Sequence, residues 1–278
     1  SWCVRSGISF TQENYVRLPV YARAMHALRR NVSGVRYIIR QHRSYGGHHG
    51  HPLRGSPVVI DYLASIQTNP SFASGYWGPL VRHLPNATWI HVDVRSSSAP
   101  ALSDARQLIA RLNSLGKGEH LLAQDLFSRR ALLTTIGTYL RIRAIGRQGW
   151  RVIDFRDSHQ DVDLSPLIRS TWNRLHFDEQ AADAACWITT FRRRRISTAV
   201  LYLMENQPWE LAMLHFSDPN AMTLGFVHAY AREWDLRLAL PAMALPGSDA
   251  PKPPMPTLVA TGSAHEKHTL IGNGYEPA

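Results

Sequence analysis

The chain has 278 residues, of which 44% are hydrophobic and 19% charged, with a formal net charge of +10. That composition supports a sizeable core and excludes a disordered or fibrous chain, and two distant cysteines, Cys3 and Cys186, exclude a disulfide scaffold. No apolar run approaches the ~18 residues that cross a bilayer, and Ser1-Trp2-Cys3-Val4-Arg5 lacks a signal-peptide apolar region, so a reducing cytoplasm is the expected compartment.

Residues 1–56 read as an N-terminal extension, with a helix over Tyr21 to Arg30, a strand over Val35 to Arg40 and a loop around His48-His49-Gly50-His51. Three His in four positions are compatible with metal ligation, but the cluster has neither a Cys partner nor helical spacing, and the expected metal content is none. From residue 57 onward strands and helices alternate. Pro57 to Leu63 predicts a buried strand and Tyr76 to Leu80 a helix start, and Ala87 to Val94 predicts the next strand. Ser103 is placed as the cap of a helix carrying Leu108, Ile109 and Leu112, which Gly116 ends. Leu121 to Phe127 reads as either strand or loop, and Leu132 to Ile145 predicts a helix.

Trp150 to Phe155 reads as extended, and Leu164 to Phe191 as one long helix or two, divided near Asp178. Val200-Leu201-Tyr202-Leu203-Met204 predicts a buried strand that delivers Glu205. Pro208 opens the next helix at its first turn. Leu224-Gly225-Phe226-Val227 then delivers His228. Pro241 to Pro256 is a Pro-rich loop, Thr257 to Ala260 a last strand, and a short helix starts near His265. This alternation predicts an α/β fold, a Rossmann-like parallel sheet with helices on both faces.

Lysine occurs only at Lys117, Lys252 and Lys267, so 28 of the 31 basic residues are Arg, whose planar fork suits phosphate and carboxylate. Coding bias toward Arg explains most of that excess. A basic surface would attract nucleic acid, anionic headgroups or nucleotide-bearing substrates. The Arg192-Arg193-Arg194-Arg195 run comes after a helix, where it complements the helix dipole as a solvated C-terminus.

Two neighbouring strands ending at Glu205 and His228 would hold an acid and a base over one crevice at the carboxyl edge of the sheet. Glu205 stands directly after a buried strand, where desolvation would raise its pKa toward the range of a general base. It could equally cap the Pro208 helix or pair with Arg237. His228 can serve as base or anion donor, or as a satisfied core histidine. Tyr76, Trp77 and Trp209 could stack on a sugar face or fill core. Asp235 and Arg237 share a face on an extended segment, and Arg232 is a phosphate or carboxylate contact. His91, in mid-strand, is read as structural.

The segments Phe72-Ala73-Ser74-Gly75-Tyr76-Trp77-Gly78-Pro79-Leu80, Trp89-Ile90-His91, Glu205-Asn206-Gln207-Pro208-Trp209-Glu210, and His228 followed by Arg232-Glu233-Trp234-Asp235-Leu236-Arg237 resemble bacterial surface-carbohydrate biosynthesis proteins. Those are similar to GT-B glycosyltransferases that use CMP-linked donors of the 3-deoxy-octulosonate or sialic-acid type. The resemblance implies that residues 57–278 form the N-terminal, acceptor-side domain of a GT-B fold, an N-terminal half that is not active alone. It implies a nucleotide-sugar donor, CMP-linked, bound mainly by the second domain, with no other cofactor. A glycan or lipid-linked glycan acceptor is the implied partner, with peripheral contact to anionic membrane at the inner membrane as a further option. The chain departs from the pattern at Ala229-Tyr230 and Thr261-Gly262. The competing class is a non-catalytic Arg-rich module that binds nucleic acid or anionic membrane.

Overall fold

A computed structural model of the chain describes residues 20–44, 53, 56–67, 72–93, 102–116, 118–149, 172, 176–177, 179–227, 254–272 and 274–275. Within them, six strands form one sheet: β1 (Val58–Tyr62), β4 (Thr88–Val92), β5 (Glu119–Leu122), β6 (Val200–Leu203), β7 (Thr223–Val227) and β8 (Leu258–Thr261). Their spatial order is β5-β4-β1-β6-β7-β8, and every pairing is parallel. A small antiparallel pair, β2 (Ile66–Gln67) and β3 (Ala73–Ser74), lies outside this sheet. The helices are α1 (Val20–Ser44), α2 (Leu102–Ser114), α3 (Leu132–Gly149), α4 (Glu179–Arg193), α5 (Pro208–Phe216) and α6 (Ala264–Gly272). The fold is therefore the expected Rossmann-like α/β sheet.

Side chains that alternate along the strands divide the core in two. Val58, Ile60, Val200, Tyr202 and Met204 face one cluster, with Ile38, Tyr139, Cys186 and Met213 from α1, α3, α4 and α5. Val59, Trp89, Leu122 and Leu203 face the other, against Ala105, Ile109 and Leu112 of α2 and against Phe72 and Trp77. Burial on both faces explains why the strand sequences are near-continuous apolar runs.

Three local readings are corrected. Val35 to Arg40 is helical, part of α1, because Gly34 does not interrupt the helix. A Cβ at Gly34 would meet the Tyr139 hydroxyl, so this glycine lets α1 approach α3 closely, and the bulky run beyond it buries Ile38 completely. α1 is thus built into the same core as the sheet. Ser103 lies inside α2 rather than capping it, its hydroxyl 3.2 Å from Asp104 Oδ1. Tyr76 to Leu80 does not start an α-helix; Trp77 precedes a 3-10 turn, Gly78–His83.

Leu121 to Phe127 resolves into the end of β5 and the 3-10 turn Ala123–Leu126. Gly116, at φ 67°, closes α2 as expected, in the left-handed region that only glycine enters freely. The Arg run is a solvated helix end, with Arg192 and Arg193 in the last turn of α4 and, like Arg195, exposed. Trp150 to Phe155, the His48 to His51 loop and most of Pro241 to Pro256 lie outside the described residues. So does most of the stretch before α4. Among the described residues no helix is long and apolar enough to cross a membrane.

Candidate functional site

The strand order reverses direction at β1: the chain moves from β1 to β4 and β5 on one side, then returns to place β6, β7 and β8 on the other. At such a switch point the loops leaving the two central strands separate, and a crevice opens beyond their carboxyl ends. Here those ends are Tyr62 and Leu203-Met204-Glu205. The Tyr62 hydroxyl donates to Glu205 Oε2 at 3.3 Å, closing the floor of the crevice across 143 residues of sequence. Burial and the neighbouring Glu205 and Glu210 charges keep the Tyr62 hydroxyl protonated, its pKa driven far up.

The turn that carries Glu205 is held from below. Asn206 sits at φ 55°, a left-handed conformation that Asn tolerates because its short amide can bond locally. Pro208 begins α5, and the third helical residue, Glu210, folds its carboxylate back to the preceding turn. Glu210 Oε2 accepts the backbone N–H groups of Glu205 at 3.0 Å and Asn206 at 2.8 Å, an extended form of the capping box. Glu210 is only 1% exposed, and its Oε1 has no hydrogen-bond partner among the described residues. Desolvation pushes its pKa up to about 8, against the opposing pull of the backbone N–H groups of Glu205, Gln207 and Asn206. Tyr202 and Tyr275 flank it, and its charge adds to the burial that raises both hydroxyls.

The opposite wall comes from β1 and the β2–β3 hairpin. Asp61 Oδ1 accepts the Tyr62 backbone N–H at 2.7 Å and the Ser65 hydroxyl at 2.9 Å, while its Oδ2 has no hydrogen-bond partner among the described residues. Burial raises the Asp61 pKa against the hydroxyls of Ser74 and Ser65 and the Tyr62 amide. The Ser74 hydroxyl in turn accepts the backbone N–H groups of Tyr76 and Trp77 at 3.2 and 3.1 Å. This relay fixes Tyr76, which is 42% exposed and meets the Tyr62 ring edge-on at 6.1 Å.

Of the residues predicted for the site, Glu205 and Tyr76 both adjoin Tyr62, at the crevice expected beyond the switch point. Trp77 and Trp209 do not line its mouth. Each is 6% exposed and packed into the core, Trp77 near Phe226 and Trp209 edge-on to Tyr202, which corrects the expectation of sugar stacking at those positions. β7 lies beside β6, with Leu203 paired to Phe226. His228, Arg232, Asp235 and Arg237 come after it in sequence and lie outside the described residues. The carboxylate that burial perturbs most clearly in this crevice is Glu210. Sequence reasoning gave it no role, although a Glu three residues after Gln207, with Pro208 at the first helical position, is a helix-start signal. Tyr62 was missed because nothing local distinguishes a Tyr at the end of an apolar run. Among the described residues no group of three or more His, Cys, Asp or Glu could hold a metal ion.

His91 is structural, as expected, and has a buried partner. Its Nε2 lies 2.9 Å from His120 Nδ1, both residues are fully buried, and Asn113 brackets the His120 peptide through N–H and C=O. Burial, with the adjacent His120, lowers the His91 pKa to about 3. The unfolded chain therefore binds a proton near pH 6.5 that the folded chain refuses until about pH 3. Stability carried by the buried neutral His91 is complete above pH 6.5 and is expected to fall by up to about 1.4 kcal/mol per pH unit as the pH drops toward 3. Urea denaturation across that range, compared with a His91→Asn variant, isolates the contribution; parallel curves for the two proteins would show that His91 does not carry it.

Comparison with known proteins gives no match to any protein-family model, curated protein or solved structure.

Proposed function

We propose that this chain is the acceptor-side part of a glycosyltransferase of the GT-B type, moving a sugar from a nucleotide donor to a glycan acceptor in surface-polysaccharide synthesis. The observation that carries this reading is the convergence of two separate segments of the family resemblance on one crevice. Tyr76, from the Phe72 to Leu80 segment, and Glu205 with Glu210, from the Glu205 to Glu210 segment, stand on either side of Tyr62 at the switch point. Exposed tyrosine beside an oriented carboxylate suits a sugar, whose faces are apolar and whose rim is hydroxyl.

Glu205, oriented by Tyr62, takes the proton of the acceptor hydroxyl as that oxygen attacks the anomeric carbon of the donor. The bond from that carbon to the donor phosphate breaks, and the nucleotide leaves with the electron pair. His228 and Arg232 are the proposed contacts to its phosphate. The segment leaving β1 supports the same assignment. Leu63-Ala64-Ser65-Ile66 makes a 3-10 turn and enters a hairpin, whereas a dinucleotide cradle uses a Gly-rich turn into a helix N-terminus. The crevice therefore fits an acceptor better than a donor pyrophosphate.

Donor screening of the full-length protein tests the reading. CMP-linked sugars are expected to release nucleotide only when a glycan acceptor is present, and UDP-linked sugars to release less. Absence of acceptor-dependent release with every donor would overturn it.

A further inference from the structure

We infer that the outer surface of α1 and α3 is a docking face for an anionic lipid bilayer. The two helices pack on each other and on α4, and they run antiparallel: Gly34 adjoins Tyr139, while the Arg129 guanidinium reaches the Arg43 carbonyl at 3.5 Å, joining the end of α1 to the segment that opens α3. Neither helix contains an Asp or Glu over its whole length, and α1 contains six Arg. On the solvent side of α1 stand Arg36, Arg40 and Arg43, spaced four and three residues apart and therefore on one face. Exposed Arg129 and Arg130 extend the positive charge to the start of α3.

Three acids lie around it, fewer than its arginines. Asp183 is engaged by the Tyr37 hydroxyl and the Trp187 indole, Asp125 lies 3.6 Å from Arg106, and Glu179 accepts from Ser33 at the far end of the face. Arg106 also donates to the Ser44 carbonyl at 2.6 Å.

Charge alone would suit any polyanion. What selects a membrane is the apolar content of the same surface. Leu133 is 80% exposed, Leu140 51% and Ile145 53%, and Leu133, Gly137, Leu140 and Ala144 form one line along α3 at alternating spacings of four and three. Aliphatic side chains set beside arginines match a bilayer interface, where the former enter the acyl boundary and the latter remain at the headgroup phosphates. A nucleic-acid surface would instead be expected to offer aromatic platforms or amides beside its arginines.

Sedimentation with phosphatidylcholine vesicles, with and without phosphatidylglycerol, tests this independently of any transferase activity. The full protein is expected to bind only the anionic vesicles, and less as salt rises. At about fivefold per engaged Arg, reversing both Arg36→Glu and Arg40→Glu should lower partitioning by roughly 25-fold or more. Leu133→Ser with Leu140→Ser should also weaken binding to the anionic vesicles. The charge-matched pair Arg192→Glu and Arg193→Glu, at the exposed end of α4, should leave binding near that of the unaltered protein. Thermal melting of each variant separates lost binding from lost folding. Equal binding to neutral vesicles, an equal loss from the α4 pair, tighter binding to DNA, or a leucine variant that converts an oligomer to a monomer would each overturn the assignment.

Discussion

Replacing Glu205 by Gln is expected to lower acceptor-dependent transfer by ~10²-fold or more while leaving the fold unchanged. Gln keeps the length of the side chain and can still accept from Tyr62, but it cannot take a proton at neutral pH. Initial rates at saturating donor, with thermal melting as the control for folding, measure the effect. Tyr62→Phe should cost less, because it loosens the orientation of the carboxylate without removing it. The double variant should then lose less than the product of the two single losses, since both act at one step. His228→Asn is expected to be costly too, because it removes a proposed contact to the departing phosphate. Asp93→Asn, buried at the end of β4 and tied to Gln124 through its backbone, should change turnover little. Normal turnover in Glu205→Gln would remove the carboxylate from the mechanism and direct attention to Glu210 and Asp235.

Glu210→Ala is expected to destabilise the protein by about 2–3 kcal/mol, because the N–H groups of Glu205 and Asn206 lose their buried acceptor. Turnover should fall with it, since that turn positions Glu205. Glu210→Gln separates the two roles. Its amide oxygen can still receive the backbone N–H groups, so the turn should survive, but the ionisable proton is gone. The sign of the pH effect is set by the raised pKa. Folded Glu210 holds its proton up to about pH 8, whereas the unfolded chain releases it near 4.5. Its contribution is therefore complete below pH 4.5 and is lost as the pH rises through 8, by up to about 1.4 kcal/mol per unit. Stability measured by urea denaturation should decline across that window more steeply in the unaltered protein than in Glu210→Gln. Identical slopes would place the titration elsewhere.

His91 works with the opposite sign between about pH 3 and 6.5, so it and Glu210 partly cancel where their windows overlap. Differences between each variant and the unaltered protein, not absolute stabilities, therefore carry the information.

The alternation of elements was legible from local pattern alone. Apolar runs of strand length, Gly116 behind a helical stripe and Pro208 at a first turn all depend on a few neighbouring residues, and the structure keeps each of them. The end of β6 at Glu205 was legible for the same reason, since burial stops where the apolar run stops. Tertiary packing decided the rest. Val35 to Arg40 carries the β-branched and aromatic residues of a strand, yet it is helical, because Gly34 lets α1 pack against Tyr139 and one helical face is buried. Trp77 and Trp209 read equally well as ligand platforms or core, and only the packing around the sheet buried them. The candidate site is the clearest case. Tyr62 and Glu205 acquire their relation from strand order, which puts β6 beside β1 although most of the domain separates them in sequence. Glu210 acquires its perturbed carboxyl from desolvation beneath that junction. A one-dimensional pattern records which side chains are apolar, but pairing across a sheet and removal from water are properties of distance in the folded chain.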